Sequence, residues 1–298
     1  MTTADRTGGP RPAYLIVNAD DYGYTDGVSR GILEAARQRI VTATGILATS
    51  PRFDEHVKEL LDVPCVDAGV HLDLTAAPPL SSRLASALPG SKKGYPRGKF
   101  RVAFGVLSGR IDPDAVEEEW DAQIRRCLAA GVRVRFLNSH EHLHMLPPLL
   151  RVARRLARRH GIPHLRRSAP EWFWIRGGVA RDAALQILSS IDRQGDRTAS
   201  PILLGASRSG KLDLPYLEKR LAGLRGGRTY ELMCHPGRVV PGEDVPSRLR
   251  AYHDWEGELS ALKGAERLGL FRSPGIRRIG YRELDGEGSR VREPGEIS

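Results

Sequence analysis

Two aspartates stand side by side in Asn18-Ala19-Asp20-Asp21-Tyr22-Gly23, directly after the continuous apolar run 13–17. Beyond them, Thr25 or Asp26 is placed to cap a helix over 27–39, with Val28, Ile32, Ala35 and Ala36 on one stripe. A buried strand followed by an amphipathic helix is the repeating unit of α/β folds. Asp is depleted in strands and costly to bury as a charge, so the pair marks the strand-to-loop junction where such folds hold their chemistry. Neighbouring side chains on a regular strand face opposite ways, so both carboxylates reach one site only if the backbone bends after Asp20. Gly23 can supply that freedom. The plainer reading, that the two carboxylates only cap the turn and helix, stays open on this stretch alone.

The same grammar recurs along the chain. A β-branched run over 41–49 reads as a second strand, 53–61 as a short helix and 66–74 as a third strand carrying His71. The segment 76–111 is rich in Pro, Gly, Ser and Lys with little periodicity, and is expected to be a lid or substrate-binding insertion. Asp112 and Pro113 open a helix that Gly131 closes. A fourth strand over 132–137 leads into Asn138-Ser139-His140-Glu141-His142-Leu143-His144, with a helix from Pro147 to Arg159 beyond it. Further expectations are a strand at 164–167, helices near 179–191 and 215–224, and a strand over 229–233 running into Cys234-His235-Pro236-Gly237. A long helix over 247–268 and a last strand over 276–281 complete the pattern.

The 298 residues suit one (β/α) barrel domain, expected over 13–284 with flexible tails at 1–12 and 285–298. The formal net charge is +10, and much of the Arg lies on helix faces, as in Arg151, Arg154, Arg155, Arg158 and Arg159. A solvated face is the plainer reading of these, and a patch for anionic partners stays open. Aromatic residues are not interleaved with basic ones as a nucleic-acid platform requires, so no nucleic-acid partner is expected. Cys65, Cys127 and Cys234 form neither a disulfide framework nor a CxxC knuckle, which suits a reducing compartment. No signal-peptide core and no bilayer-length apolar run is present, so a cytoplasmic location without a membrane span is expected. Homo-oligomerisation is left open.

Strand ends thus offer Asp20 and Asp21, His71, His140 and His235, and parallel strands would bring all of them to one rim. One carboxylate and two histidines with open positions suit a catalytic divalent cation, which activates water and polarises a carbonyl oxygen. A second carboxylate can take the proton of water, and a histidine opposite can protonate a leaving amine. Metal-assisted hydrolysis of an amide or ester is the chemistry this set can perform.

Asn18-Ala19-Asp20-Asp21-Tyr22-Gly23, Gly69-Val70-His71-Leu72, Ser139-His140-Glu141-His142-Leu143-His144 and Met233-Cys234-His235-Pro236-Gly237 together resemble the YdjC/ChbG-like carbohydrate deacetylases. The resemblance runs from about Tyr14 to Leu284. It implies an irregular (β/α) TIM-like barrel of the polysaccharide-deacetylase type. It also implies a divalent ion, Mg²⁺ or Zn²⁺, and removal of an acetyl group from N-acetylated sugars or oligosaccharides. Carried over by motif, Asp21, His71 and His140 become metal ligands, Asp20 the general base and His235 the candidate acid. Two positions depart from the family pattern: Asn138 stands where Asp is usual, and His140-Glu141-His142 where three histidines are common.

Two other readings compete. His140-Glu141-His142-Leu143-His144 also fits HExxH, the zinc-peptidase motif, which requires a regular helix so that both histidines share a face. The preceding strand and Pro147 argue against that helix. The remaining alternative is a non-catalytic basic binding protein on a degenerate barrel. A Cys234–His235 dyad is disfavoured because adjacent strand residues face opposite sides.

Overall fold

The computed structural model describes residues 11–88, 98–167, 201–245 and 247–284. The tails expected at 1–12 and 285–298 lie outside these residues except for Arg11 and Pro12, and so does the helix expected near 179–191.

Strand β1 (Ala13–Tyr22) is the axis of the molecule. Its residues are buried almost without interruption, as expected where helices cover both faces of a parallel sheet. On one edge it pairs with β2 (Ala43–Ile46), followed outward by β3 (Asp67–Leu72), β4 (Val134–Ser139) and β5 (His164–Leu165). On the other edge lie β7 (Thr229–Cys234) and then β6 (Ile202–Leu204). The short β8 (Ile276–Arg278) pairs with Ala13, Tyr14 and Leu15. Every pairing is parallel, and the expected α/β barrel is realised as a parallel half-barrel of eight strands among the described residues.

Helix α1 (Asp26–Arg37) shows how the sequence builds one covering layer. Thr25 is the cap, its hydroxyl accepting from Val28 N at 3.1 Å, and Asp26 and Arg37 suit the two ends of the helix dipole. Val28, Ile32, Leu33, Ala35 and Ala36 are buried, each larger side chain contributing roughly 1.5–3 kcal/mol of transfer free energy. The glycines of α1 serve close packing. A Cβ on Gly27 would meet the Arg238 carbonyl oxygen at 2.0 Å, and one on Gly31 would meet Gly237 Cα at 2.3 Å. The chain after β7 therefore lies directly on α1, and Glu243 closes the contact by accepting from Asp26 N and Gly27 N.

The short helix expected over 53–61 is α2 (Phe53–Leu61), but several boundaries differ from expectation. The segment 76–111 is not structureless: it holds α3 (Ser82–Ala87), only six residues long, and α4 (Lys99–Leu107), whose apolar residues lie on both faces and so mark no single stripe. Helix α5 (Pro113–Ala129) starts where Asp112 caps it, and α6 (Pro147–Arg159) starts at its two prolines. Strand β6 has only three residues, too few to carry a strand period in the sequence. The helix expected over 215–224 is α7 (Leu214–Ala222), capped by Asp213. The long helix expected over 247–268 is two: α8 (Ser247–Tyr252) and α9 (Trp255–Arg267), broken where Asp254 turns to cap Gly257 N. The last strand stops at Arg278, and Tyr281 begins a short helix, α10 (Tyr281–Leu284).

Candidate active site

The carboxyl ends of β1, β3, β4 and β7 form one rim. Register sets His71 opposite Asn138, and Cys234 opposite Ala19, so His235 continues alongside Asp20. The predicted bend after Asp20 falls on Asp21 itself, which has φ 70°, with Gly23 at φ 92° completing the turn. A left-handed Asp is tolerated better than most side chains, and here it turns both carboxylates into the site.

Asp21 stands between the two histidines. Its Oδ1 lies 2.7 Å from His140 Nδ1 and 3.1 Å from His71 Nε2. The three potential ligand atoms all lie within 4.8 Å of one another, in a largely buried pocket. Tyr24 stacks on the His140 ring at 5.8 Å between centroids. Burial alone would raise the Asp21 pKa, but His140 and His71 hold it well below the usual carboxylate range. Burial would lower the His140 pKa; the Asp21 charge outweighs it and raises it to about 9.

Asn138 ties this cluster to the second carboxylate. Its Oδ1 lies 2.8 Å from His71 Nδ1, and its Nδ2 donates to Asp20 Oδ1 at 3.0 Å. An amide oxygen only accepts, so His71 donates to Asn138 from Nδ1, and Nε2 is the ring atom on the Asp21 side that a cation would take in place of a proton. Donor chemistry and ring orientation therefore fit a divalent cation held by Asp21, His71 and His140.

Asp20 is clamped by Arg166, the first residue after β5. The guanidinium donates to Asp20 Oδ2 at 2.5 Å and Oδ1 at 2.9 Å, and to Glu231 Oε1 from Nε at 2.8 Å. Asn18 adds a further donor to Glu231 at 2.7 Å. Burial would raise the Asp20 pKa, but the Arg166 charge, with help from His71, brings it down to about 2. Among the described residues, Asn138 and Arg166 donate to Asp20 Oδ1 and Arg166 alone to Oδ2, so Oδ2 is the less committed oxygen.

His235 lies at the end of β7, and its backbone N donates to Glu258 Oε2 at 2.5 Å. Its Nδ1 is 3.8 Å from the same oxygen and makes no hydrogen bond among the described residues. His253 packs against its ring at 5.1 Å, and Trp255 stacks on His253 at 5.3 Å. Burial would lower the His235 pKa; Glu258, followed by Asp21 and Asp20, raises it to about 9.

The HExxH reading fails on geometry. Residues His140–Met145 form a 3-10 turn in which Glu141 and His142 have φ 55° and 58°. His140 turns to Asp21, whereas His144 is engaged by Ser139 Oγ at 2.6 Å and the Arg166 carbonyl at 2.9 Å. The two histidines share no helix face. Burial, with the nearby Arg166 charge adding to it, lowers the His144 pKa to about 4, so this ring is a neutral structural strut.

Sequence patterns missed Arg166, Glu231 and Glu258. Glu231 left one signal, a charged residue in the middle of an otherwise apolar strand.

The YdjC-like protein family matches residues 14–272. The chain belongs to the YdjC-like family. A chitooligosaccharide deacetylase of Klebsiella pneumoniae (strain 342) is 32% identical over 275 residues, spanning 91% of this chain and 98% of that one. A carbohydrate deacetylase of Geobacillus stearothermophilus is 28% identical over 286 residues, spanning 92% and 98%. Among solved structures, a protein of Enterococcus faecalis V583 named for cellobiose-phosphate cleavage superposes with a TM-score of 0.68. It is 27% identical and covers 92% of this chain and 99% of that one.

Proposed function

We propose that this YdjC-like protein is a metal-dependent carbohydrate N-deacetylase that hydrolyses the acetamide of an N-acetylated sugar or oligosaccharide. One observation carries the reading: the Asp21–His71–His140 cluster is joined through Asn138 to a second, ionised carboxylate, Asp20. The deacetylase names of its Klebsiella and Geobacillus relatives supply the substrate class.

Asp21, His71 and His140 hold the divalent cation, Mg²⁺ or Zn²⁺. Such an ion, when bound, makes water acidic enough to attack at neutral pH and draws electrons from the amide carbonyl. Asp20 stays ionised, is fixed in orientation by Arg166 and Asn138, and accepts the proton of the attacking water on Oδ2. His235 delivers a proton from its imidazole to the amide nitrogen, which leaves as the free amine while acetate is released. Three donors on Asp20 weaken it as a base, and in exchange hold it ready without rearrangement.

Acetate release from N-acetylated mono- and oligosaccharides, before chelation, after chelation and after restoring single metals, tests the proposal. Turnover that is lost on chelation and regained with one metal is expected. Undiminished turnover in the chelated protein would refute metal dependence. Peptide cleavage without acetate release would refute the substrate class.

A further inference from the structure

Helix α4 carries two apolar faces. Val102, Gly105 and Val106 are buried, whereas Phe100, Phe104 and Leu107 are 77%, 59% and 61% exposed. The exposed three are spaced i, i+4, i+7 and form one stripe opposite the buried face. Lys99 and Arg101 bracket Phe100 in sequence and so flank the stripe on either side. The Lys99 ammonium lies 5.6 Å from the Phe100 ring centroid, and the Arg110 guanidinium 5.1 Å from that of Phe104. No Asp or Glu occurs between Asp73 and Asp112, a span carrying seven Lys and Arg residues.

We propose that α4 is a docking surface for an anionic phospholipid bilayer. Phe100, Phe104 and Leu107 enter the interface, and Lys99, Arg101 and Arg110 lie at the level of the phosphates. An interfacial helix needs this pairing of large apolar side chains with flanking cations, and neither alone suffices. A second copy fits less well. Twofold pairing through the stripe would set Lys99, Arg101 and Arg110 against the same residues of the twin, like charge facing like. A nucleic acid would answer the cations but leave Leu107 without a partner. Lys99 Nζ also lies 3.7 Å from Glu141 Oε1, in the turn that carries His140, so docking places the candidate site beside the bilayer. The docking surface is independent of the deacetylase reading.

Flotation of the full chain with phosphatidylcholine vesicles, with and without phosphatidylserine, tests this proposal. Binding to the anionic vesicles alone is expected, weakening as salt rises. The triple variant Phe100→Ser/Phe104→Ser/Leu107→Ser, checked for fold by circular dichroism, should partition at least about tenfold less. Arg101→Gln/Arg110→Gln should also weaken binding, through charge rather than contact. Light scattering is run on the same samples. Absence of vesicle binding, or equal binding by the triple serine variant, would overturn the proposal. So would a dimer that the serine variant dissociates without vesicle binding by the parent, which would assign the stripe to a second copy. Binding of RNA but not vesicles, undiminished in the serine variant, would assign the cations to a polyanion.

Discussion

Arg166 reaches Asp20 through two parallel hydrogen bonds, Nη1 to Oδ2 at 2.5 Å and Nη2 to Oδ1 at 2.9 Å, with both side chains buried. The same guanidinium contacts Glu231, so one buried cation serves two carboxylates. Such an arrangement is weak evidence for stability in itself, because desolvation offsets much of the attraction. Its value lies in fixing Asp20 as an oriented anion.

Removing the cation should be severe. Arg166→Met leaves Asp20 and Glu231 buried without it, and a loss of about 3–5 kcal/mol in chemical denaturation is expected. Arg166→Lys keeps the charge but not the planar fork, and should cost roughly 1–3 kcal/mol while lowering turnover. Full activity in the Lys variant would separate the clamp from catalysis.

Gly31→Ala sets two effects against each other. Helix propensity favours Ala by about 1 kcal/mol. The new Cβ, however, would stand 2.3 Å from Gly237 Cα and 2.6 Å from Gly237 C, backbone that cannot yield without moving the loop. The clash should win, giving a net loss of about 1–3 kcal/mol and lower turnover through displacement of neighbouring His235. Denaturation midpoints and acetate release measure both; a stabilised variant would contradict the packing.

The acid role of His235 predicts a pH limb. Glu258, Asp21 and Asp20 overcome burial and raise its pKa to about 9, while burial and the His235 charge depress neighbouring His253 to about 3. His235 is therefore protonated at neutral pH in the metal-free protein, and kcat should fall as pH rises through its pKa, which a divalent cation on Asp21 would draw below 9. The same shift contributes stability that is complete below the ordinary value of 6.5 and lost as pH rises through about 9. Glu258→Gln removes the largest cause of the increase, so the limb should move toward lower pH. A limb unmoved by that substitution would exclude His235 as the titrating acid.

Much of the fold was legible because it is written locally. Thr25, Asp112 and Pro147 announce helix starts through their own chemistry, and β1 reads as a buried strand from its apolar run. The break between α8 and α9 was not legible, since Asp254 turns from helix interior to cap through a contact with Gly257. At the site, Asp20, Asp21, His71 and His140 could be found because each ends or follows a strand. Arg166 could not, because its meaning depends on Asp20, 146 residues away in sequence. Glu258 gains its role only when α9 packs beneath His235. The fit of α4 against its turn likewise comes from tertiary contact, through Lys99 and Glu141.

The most direct test of the division of labour is metal content measured on three purified variants alongside acetate release. Asp21→Asn loses a ligand oxygen and should bind metal poorly. Asp20→Asn reduces the Arg166 cluster to one cation and one carboxylate, and should be folded, metal-loaded and nearly inactive. Glu141→Gln, whose carboxylate lies 3.7 Å from Lys99 Nζ and is not among the grouped ligand atoms of Asp21, His71 and His140, should keep its metal and lose activity only modestly. The account predicts that metal is lost with Asp21 and retained with Asp20. A metal-loaded but inactive Glu141→Gln protein beside a working Asp20→Asn protein would contradict it.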